Sequence, residues 1–378
     1  MEVKNLIAAF FILAGFILIP VTGVFATELY DRYTSVRALG MGNSFMPVAD
    51  GIDALFYNPA GLASTGGITI TPVKLKVGAD DVTSLAKASD FNSDFSGTLR
   101  SFYGQVVSVT ASETAGVAIP GFAVAGYDSA NVTADLSNPA LPNFRVNAIN
   151  DTGVAAGFGL NLGPFLKWGV VGKKIYRFGG SMDLPVSAIA SLNDTLIKQQ
   201  LENYGVGTAL DSGVSLSFPS PVKPTFSFVW RDIGDTSFVL NRGVAQLPTD
   251  KSEMAAAFGL EVSLPLLKIM PTVEYRYLTN SDIQIGKKIN GGIEVQLPGL
   301  SLRGGLHQGY YTAGAGLNLG LMRLDLATYG VELGQYAGQH EDRRYVLELT
   351  IDFGFDFSTG SFMGINLSND RGRLKERR

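Results

Sequence analysis

From Tyr345 to the end of the next thirteen positions the chain alternates. Tyr345, Leu347, Leu349, Ile351, Phe353, Phe355 and Phe357 are apolar, and the residues between them include Glu348, Thr350, Asp352 and Asp356. Side chains of a strand point to opposite faces in turn, so this pattern gives one greasy face and one polar face. A strand of roughly 9 to 11 residues is what a tilted membrane crossing needs. The pattern recurs. Ile289, Ile293, Val295 and Leu297 interleave with Asn290, Glu294 and Gln296. Ile269, Val273, Tyr275 and Tyr277 interleave with Thr272, Glu274 and Arg276. Val154, Ala156, Phe158, Leu160 and Leu162 interleave with Ala155, Gly157, Gly159 and Asn161. One such strand would suit a soluble sandwich; many of them, without amphipathic helices to cover them, point to a barrel facing lipid.

The links between strands carry the second half of the argument. Strands are expected near 66–78, 98–111, 114–127, 152–162, 166–179, 206–218, 223–233, 254–264, 267–279, 287–297, 300–307, 310–319, 321–334 and 343–356. Every second link is short and turn-like: Gly163-Pro164-Phe165, Ser220-Pro221, Pro265-Leu266, Pro298-Gly299 and Gly320. The others are mostly long, notably 79–97, 128–151, 180–205 and 234–253. Tight turns alternating with long loops are the mark of an outer-membrane barrel, with the turns in the periplasm. The expected fold is therefore all-β, an antiparallel transmembrane barrel of about 14 strands over residues 66–357. An even count puts both ends in the periplasm. Trp168, Tyr176, Tyr275, Tyr277 and Tyr345 fall near strand ends, where aromatic girdles form.

Composition agrees. Charged residues make up 17% of the chain, apolar residues 46%, and glycine occurs 45 times. The net charge of -4 gives no general attraction to nucleic acid. With no cysteine there is no disulfide framework, no thiolate metal site and no acylated N-terminal cysteine. Residues 1–26 have the three parts of an export signal: Lys4, an apolar run over 6–19, and Val24-Phe25-Ala26 at the expected cleavage point. That run is shorter than the roughly 20 residues a spanning helix needs. The expected location is the bacterial outer membrane. The last residues, 358–378, end in the basic run Arg371-Gly372-Arg373-Leu374-Lys375-Glu376-Arg377-Arg378 and are expected to be a periplasmic tail.

Residues 27–65 do not alternate. They are small and turn-rich, and Asp50 to Leu55 has the makings of a short helix that ends before Pro59. Such a segment cannot bury itself alone, and the barrel interior is the nearest enclosed volume, so a plug or hatch is expected. The run Arg37-Ala38-Leu39-Gly40-Met41-Gly42, with Ala49-Asp50, Asp53-Ala54-Leu55 and Tyr57-Asn58-Pro59-Ala60-Gly61-Leu62, resembles the N-terminal signature of the FadL-like outer-membrane superfamily. That resemblance implies a 14-stranded barrel with its N-terminal segment folded inside as a hatch. It places Asn58, Pro59 and Ala60 in the hatch, beside Gly40 and Gly42. Beyond the signature, only the strand pattern matches.

The inferred inward face carries Lys173, Arg177, Glu261, Glu274, Arg276, Glu294, Arg303, His307, Arg323, Asp325, Glu348 and Asp352. Two readings stand side by side. These charges pair with one another around the hatch, as charges in a closed barrel should. Or some of them meet a ligand, with Arg276 or Arg303 as the guanidinium for a carboxylate. His307 and His340 lack metal-ligand spacing and nothing marks a nucleophile, so no metal, cofactor or enzymatic activity is expected. The expected function is passive, FadL-like passage of hydrophobic small molecules such as long-chain fatty acids. The alternative is a PorV-like docking or structural barrel with an envelope protein partner. In either case outer-membrane lipid is the surrounding partner and nucleic acid is not one.

Overall fold

A computed structural model describes residues 28–29, 31–80, 106–135, 143–185, 199–356, 361–362 and 365–366. The export signal lies outside the described residues, as do most of the tail and residues 186–198 of the long link over 180–205.

Alternating sequence becomes sheet wherever it is described. The strands are β1 (Gly67–Ala79), β2 (Val106–Ile119), β3 (Phe122–Asp135), β4 (Asn143–Asn161), β5 (Leu166–Pro185) and β6 (Asn203–Ser217). Then come β7 (Thr225–Arg231), β8 (Val239–Arg242), β9 (Glu253–Gly259), β10 (Val262–Leu264) and β11 (Leu267–Tyr275). The last wall strands are β12 (Ile289–Leu297), β13 (Leu300–His307), β14 (Tyr310–Asn318), β15 (Met322–Glu332) and β16 (Glu341–Asp356). β7 and β8 both pair with β6, and β9 and β10 both pair with β11, so each couple is one interrupted crossing. β16 returns to pair with β1 from Gly67↔Asp356 to Ala79↔Tyr345. The result is a closed antiparallel barrel of fourteen crossings. Two further rungs, β17 (Ser361–Phe362) and β18 (Ile365–Asn366), continue beyond β16.

Closure leaves no free edge, which is the condition for crossing lipid with strands. The outward residues form a continuous apolar band: Ile68, Val117, Phe122, Phe158, Phe226, Ile293, Leu302, Leu317 and Phe353 are among its exposed members. The protein is a transmembrane β-barrel. Trp168 belongs to that outer surface and meets Phe158 edge to face at 5.6 Å. Tyr345 is also outward and 58% exposed. Tyr277 is not a girdle residue. It sits past the end of β11 at φ 53 and turns into the lumen.

One turn moved. A link at 112–113 was expected, but β2 runs through it and turns at Pro120-Gly121, with Gly121 at φ 77. Ala111, Ser112, Glu113 and Thr114 have no apolar alternation and look like a loop. Glu113 in fact points out of the wall, in register between Leu75 of β1 and Asp128 of β3.

The non-alternating segment lies inside. Ser35 caps helix α1 (Val36–Gly40), its Oγ accepting from the Ala38 amide at 3.3 Å. A 3-10 turn over Met46–Val48 and another over Gly51–Asp53 lead into helix α2 (Ala54–Tyr57). Asn58 then caps a 3-10 stretch, Pro59–Ser64, with proline at its first position, where no amide is required. α1 packs on β13 to β16, Met46–Val48 on β7, β9 and β11, Gly51–Asp53 on β2 and β3, and Pro59–Ser64 on β3 to β6. The segment touches the wall on all sides, so it occupies the lumen. The apolar core is here too: Met41, Phe45, Leu55 and Leu62 meet the inward Ala118, Ala123, Ala155 and Val171.

Candidate functional site: the lumen and its two vestibules

The inner segment comes so close to the wall because the wall has glycine where they meet. A Cβ on Gly292 would lie 2.8 Å from Met41 Cα, and one on Gly305 would lie 2.8 Å from the Gly42 nitrogen. Across the lumen, Gly159 and Gly169 would meet the nitrogens of Ala63 and Ala60 at 2.6 and 2.8 Å. Gly42 is at φ 64, a conformation few other residues adopt, and its amide donates to Thr312 Oγ1 at 3.0 Å. Gly40 lies against the Arg303 side chain and the Gly314 backbone. Asn58 caps Ala60 and also donates to the Met46 carbonyl at 3.0 Å and to Ser215 Oγ at 2.9 Å. Pro59 and Ala60 are buried against the glycines of β5 and β6.

Ion pairs fasten the segment around its circumference. Arg37 holds Glu294 at 2.8 Å, Asp53 accepts from Lys74 at 2.6 Å, Asp31 meets Arg276 at 2.6 Å, and Arg32 meets Asp250 at 2.8 Å. Each partner on the barrel side has a second partner of its own. Glu294 keeps Arg303 at 2.7 Å, Asp250 keeps Arg177 at 2.7 Å, Arg276 keeps Glu253 at 2.8 Å, and Lys74 has Glu348 at 3.7 Å. Lys76 differs: its ammonium donates to the Thr34 carbonyl and hydroxyl, both at 2.7 Å. Burial would push the Asp53 carboxyl up, but the Lys74 ammonium and the Tyr33 hydroxyl hold it below its ordinary value.

Space remains on both sides of the segment. At the loop end lies a cavity of about 610 Å³ whose lining includes Tyr33, Phe56, Tyr57, Tyr127, Asp232 and Arg276. At the turn end lies another of about 430 Å³, reached by Arg37, Asp50, Asp53, Lys74 and Arg323. The septum between them is thin. Tyr33 lines the first cavity and Asp53 the second, and the Tyr33 hydroxyl donates to Asp53 Oδ1 at 2.8 Å. Tyr33 also stacks on Phe56, centroids 3.7 Å apart.

The two guanidinium candidates are placed differently. Arg303 is held by Glu294 and by Asp325 at 2.5 Å beneath α1, and it lines neither cavity. Arg276 does line the loop-end cavity, but Glu253 and Asp31 occupy its donors. Sequence reasoning assigned no role to Asp31, Asp53 or Asp250, which do much of the fastening. The signal was there in part: Asp53 stands in the non-alternating segment while Lys74 stands on the inward face of β1. Charge complementarity between those two sets was the available clue.

No protein-family model and no curated protein matches the chain. Among solved structures it is similar to the Pseudomonas putida toluene transporter TodX, at 13% identity and TM-score 0.46, over 89% of this chain and 100% of that one. The CymD monoaromatic hydrocarbon channel follows at 8% identity and TM-score 0.47, over 83% of this chain and 95% of that one. A Pseudomonas aeruginosa FadL homologue stands at 11% identity and TM-score 0.41, over 89% and 100%. The identification of a closed barrel rests on the strand register itself.

Proposed function

We propose that this protein is a bacterial outer-membrane channel for passive movement of small hydrophobic molecules, with residues 31–64 as its hatch. The observation that carries the reading is the septum: a cavity on each side, and the Tyr33–Asp53 hydrogen bond between them. The doubled ion pairs support movement of the segment. When it shifts, Glu294, Asp250, Arg276 and Lys74 fall back on partners in the barrel instead of standing as bare buried charges, which would cost several kcal/mol each. A long-chain fatty acid is the weaker cargo. Its carboxylate would enter a cavity whose described lining holds eight acidic and five basic residues. Uptake of a labelled neutral alkylbenzene by intact cells tests this. Cells expressing the protein should accumulate it faster than cells without it, and equal rates would remove the channel reading.

One observation favours a second reading, a docking or structural barrel of an envelope assembly. The same ion-pair network also describes a permanently filled lumen. Purification in mild detergent would then yield a stoichiometric protein partner, with no gain in uptake.

A further inference from the structure

The loop-end cavity has an electrostatic imbalance that the hatch does not use. Among its described lining residues, two of the five bases are engaged elsewhere: Lys173 with Asp211, and Lys251 with Asp235 at 2.8 Å, neither acid being part of the lining. Two lining acids, Asp282 and Asp232, make no ion pair among the described residues; Asp282 is exposed, and Asp232 is the half-buried one. Asp232 stands just past β7 at φ 49, and its carboxylate accepts from Thr236 Oγ1 at 2.8 Å. The same cavity has an aromatic side. Phe56 stacks on Tyr33 and meets Tyr127 edge to face at 5.3 Å, and Asp232 is within electrostatic reach of Tyr127.

We propose that the loop-end cavity binds small organic cations: a protonated primary amine at Asp232, carried on an aromatic or short alkyl body that rests on Tyr33, Phe56 and Tyr127. The chemistry is complementary on both counts. A partly desolvated carboxylate that makes no ion pair of its own attracts an ammonium more strongly than a fully hydrated surface carboxylate does; Lys173, bound to Asp211, offsets part of that attraction. Aromatic faces favour a cationic or apolar body and offer an anion nothing. A volume of about 610 Å³ is within the range that takes a small ligand. This deepens the channel reading by naming a cargo class, and it rests on that reading only for the claim that the ligand moves on.

The test is calorimetric titration of the full-length protein in detergent at low salt with three matched probes: phenethylammonium, 2-phenylethanol and 3-phenylpropionate. The amine should bind at least about tenfold more tightly than the alcohol, and the carboxylate should bind most weakly, with the amine's advantage shrinking as salt is added. Asp232→Asn should bring amine and alcohol to within about threefold of each other. Asparagine tolerates a positive φ and keeps an acceptor for Thr236, so the variant should fold. Amine and alcohol binding equally to the unmodified protein would overturn the proposal and leave the channel reading standing, as would an amine preference that survives Asp232→Asn. Failure of all three probes to bind, with no protein-dependent uptake of alkylbenzene, would end both.

Discussion

At the scale of single residues, the wall strands are written twice. Outward positions are large and apolar, as lipid demands. Inward positions are charged where they meet a partner and small where they meet backbone. Gly159, Gly169, Gly292 and Gly305 are inward positions at which a methyl group would strike the inner segment. Gly172, which also lies within a strand, has open space beyond it. A glycine within a strand marks a bend or a close approach, but the sequence does not name the neighbour, since a glycine says nothing of what lies opposite. A direct comparison follows. Gly292→Val should displace the segment at Met41, at a cost of about 1–3 kcal/mol from overpacking, and leave the backbone ladder of β12 with β11 and β13 intact. Limited proteolysis should then cut within 31–64, and planar-bilayer recordings should show larger conductance. Gly172→Val should match the unmodified protein in both. Resistance to protease in Gly292→Val would mean that the wall yields more easily than the inner segment.

At the scale of elements, regular strands were legible and interrupted ones were not. β16 alternates over its full length, and the turns at Gly163-Pro164-Phe165, Pro265-Leu266 and Pro298-Gly299 fall where glycine and proline place them. The β2–β3 turn was misplaced because the small and polar residues 111–114 carry no period. The seventh crossing is a different case. A single strand over 223–233 fits the sequence, but β7 stops at Arg231 and β8 takes over its place beside β6 only from Val239. Between them Asp232, Gly234 and Asp235 take positive φ, and Phe238 folds inward onto Ile175, joined by Leu247 from beyond β8. The anchor is Arg177. It lies 3.9 Å over the Phe238 ring and bonds Asp151, Asp250 and the Pro248 carbonyl, contacts made by residues far apart in sequence.

That break leaves Asp232 in an unfavourable place, with a pH signature. Burial pushes its carboxyl up from 3.8 to about 6; Lys173 pulls the other way, and Asp211 and Asp250 add repulsion. A folded-state value above the unfolded one means that ionised Asp232 opposes folding. The penalty is full above about pH 6 and fades as the pH falls toward 3.8. Asp232→Asn should therefore raise the thermal unfolding midpoint in detergent at pH 8, by the equivalent of at most about 3 kcal/mol, and change it little at pH 4. An equal gain at both values would show that the carboxylate is not strained.

At the scale of the whole molecule, the wall and its filling are held together by different means. The wall is a closed ring of backbone hydrogen bonds, complete once β16 pairs with β1. The register shifts at Thr71-Pro72 of β1, where proline has no amide to donate and the strand bulges, and again between Tyr204 and Gly205 where β6 meets β8. The filling is held by side chains, and most of the barrel charges that hold it have a second partner. A barrel without residues 31–64 should therefore keep its ring. Glu294 would keep Arg303, Arg276 would keep Glu253 and Asp250 would keep Arg177, while water would replace the Thr34 acceptors of Lys76. The deletion variant should still run on gels as a compact band that shifts only on boiling. It should also show steady single-channel conductance that the intact protein lacks, since two cavities of about 610 and 430 Å³ would become one lumen. A deletion variant that never forms the compact band would make the inner segment part of the core that folds the barrel, and the proposal of a movable hatch would fall with it.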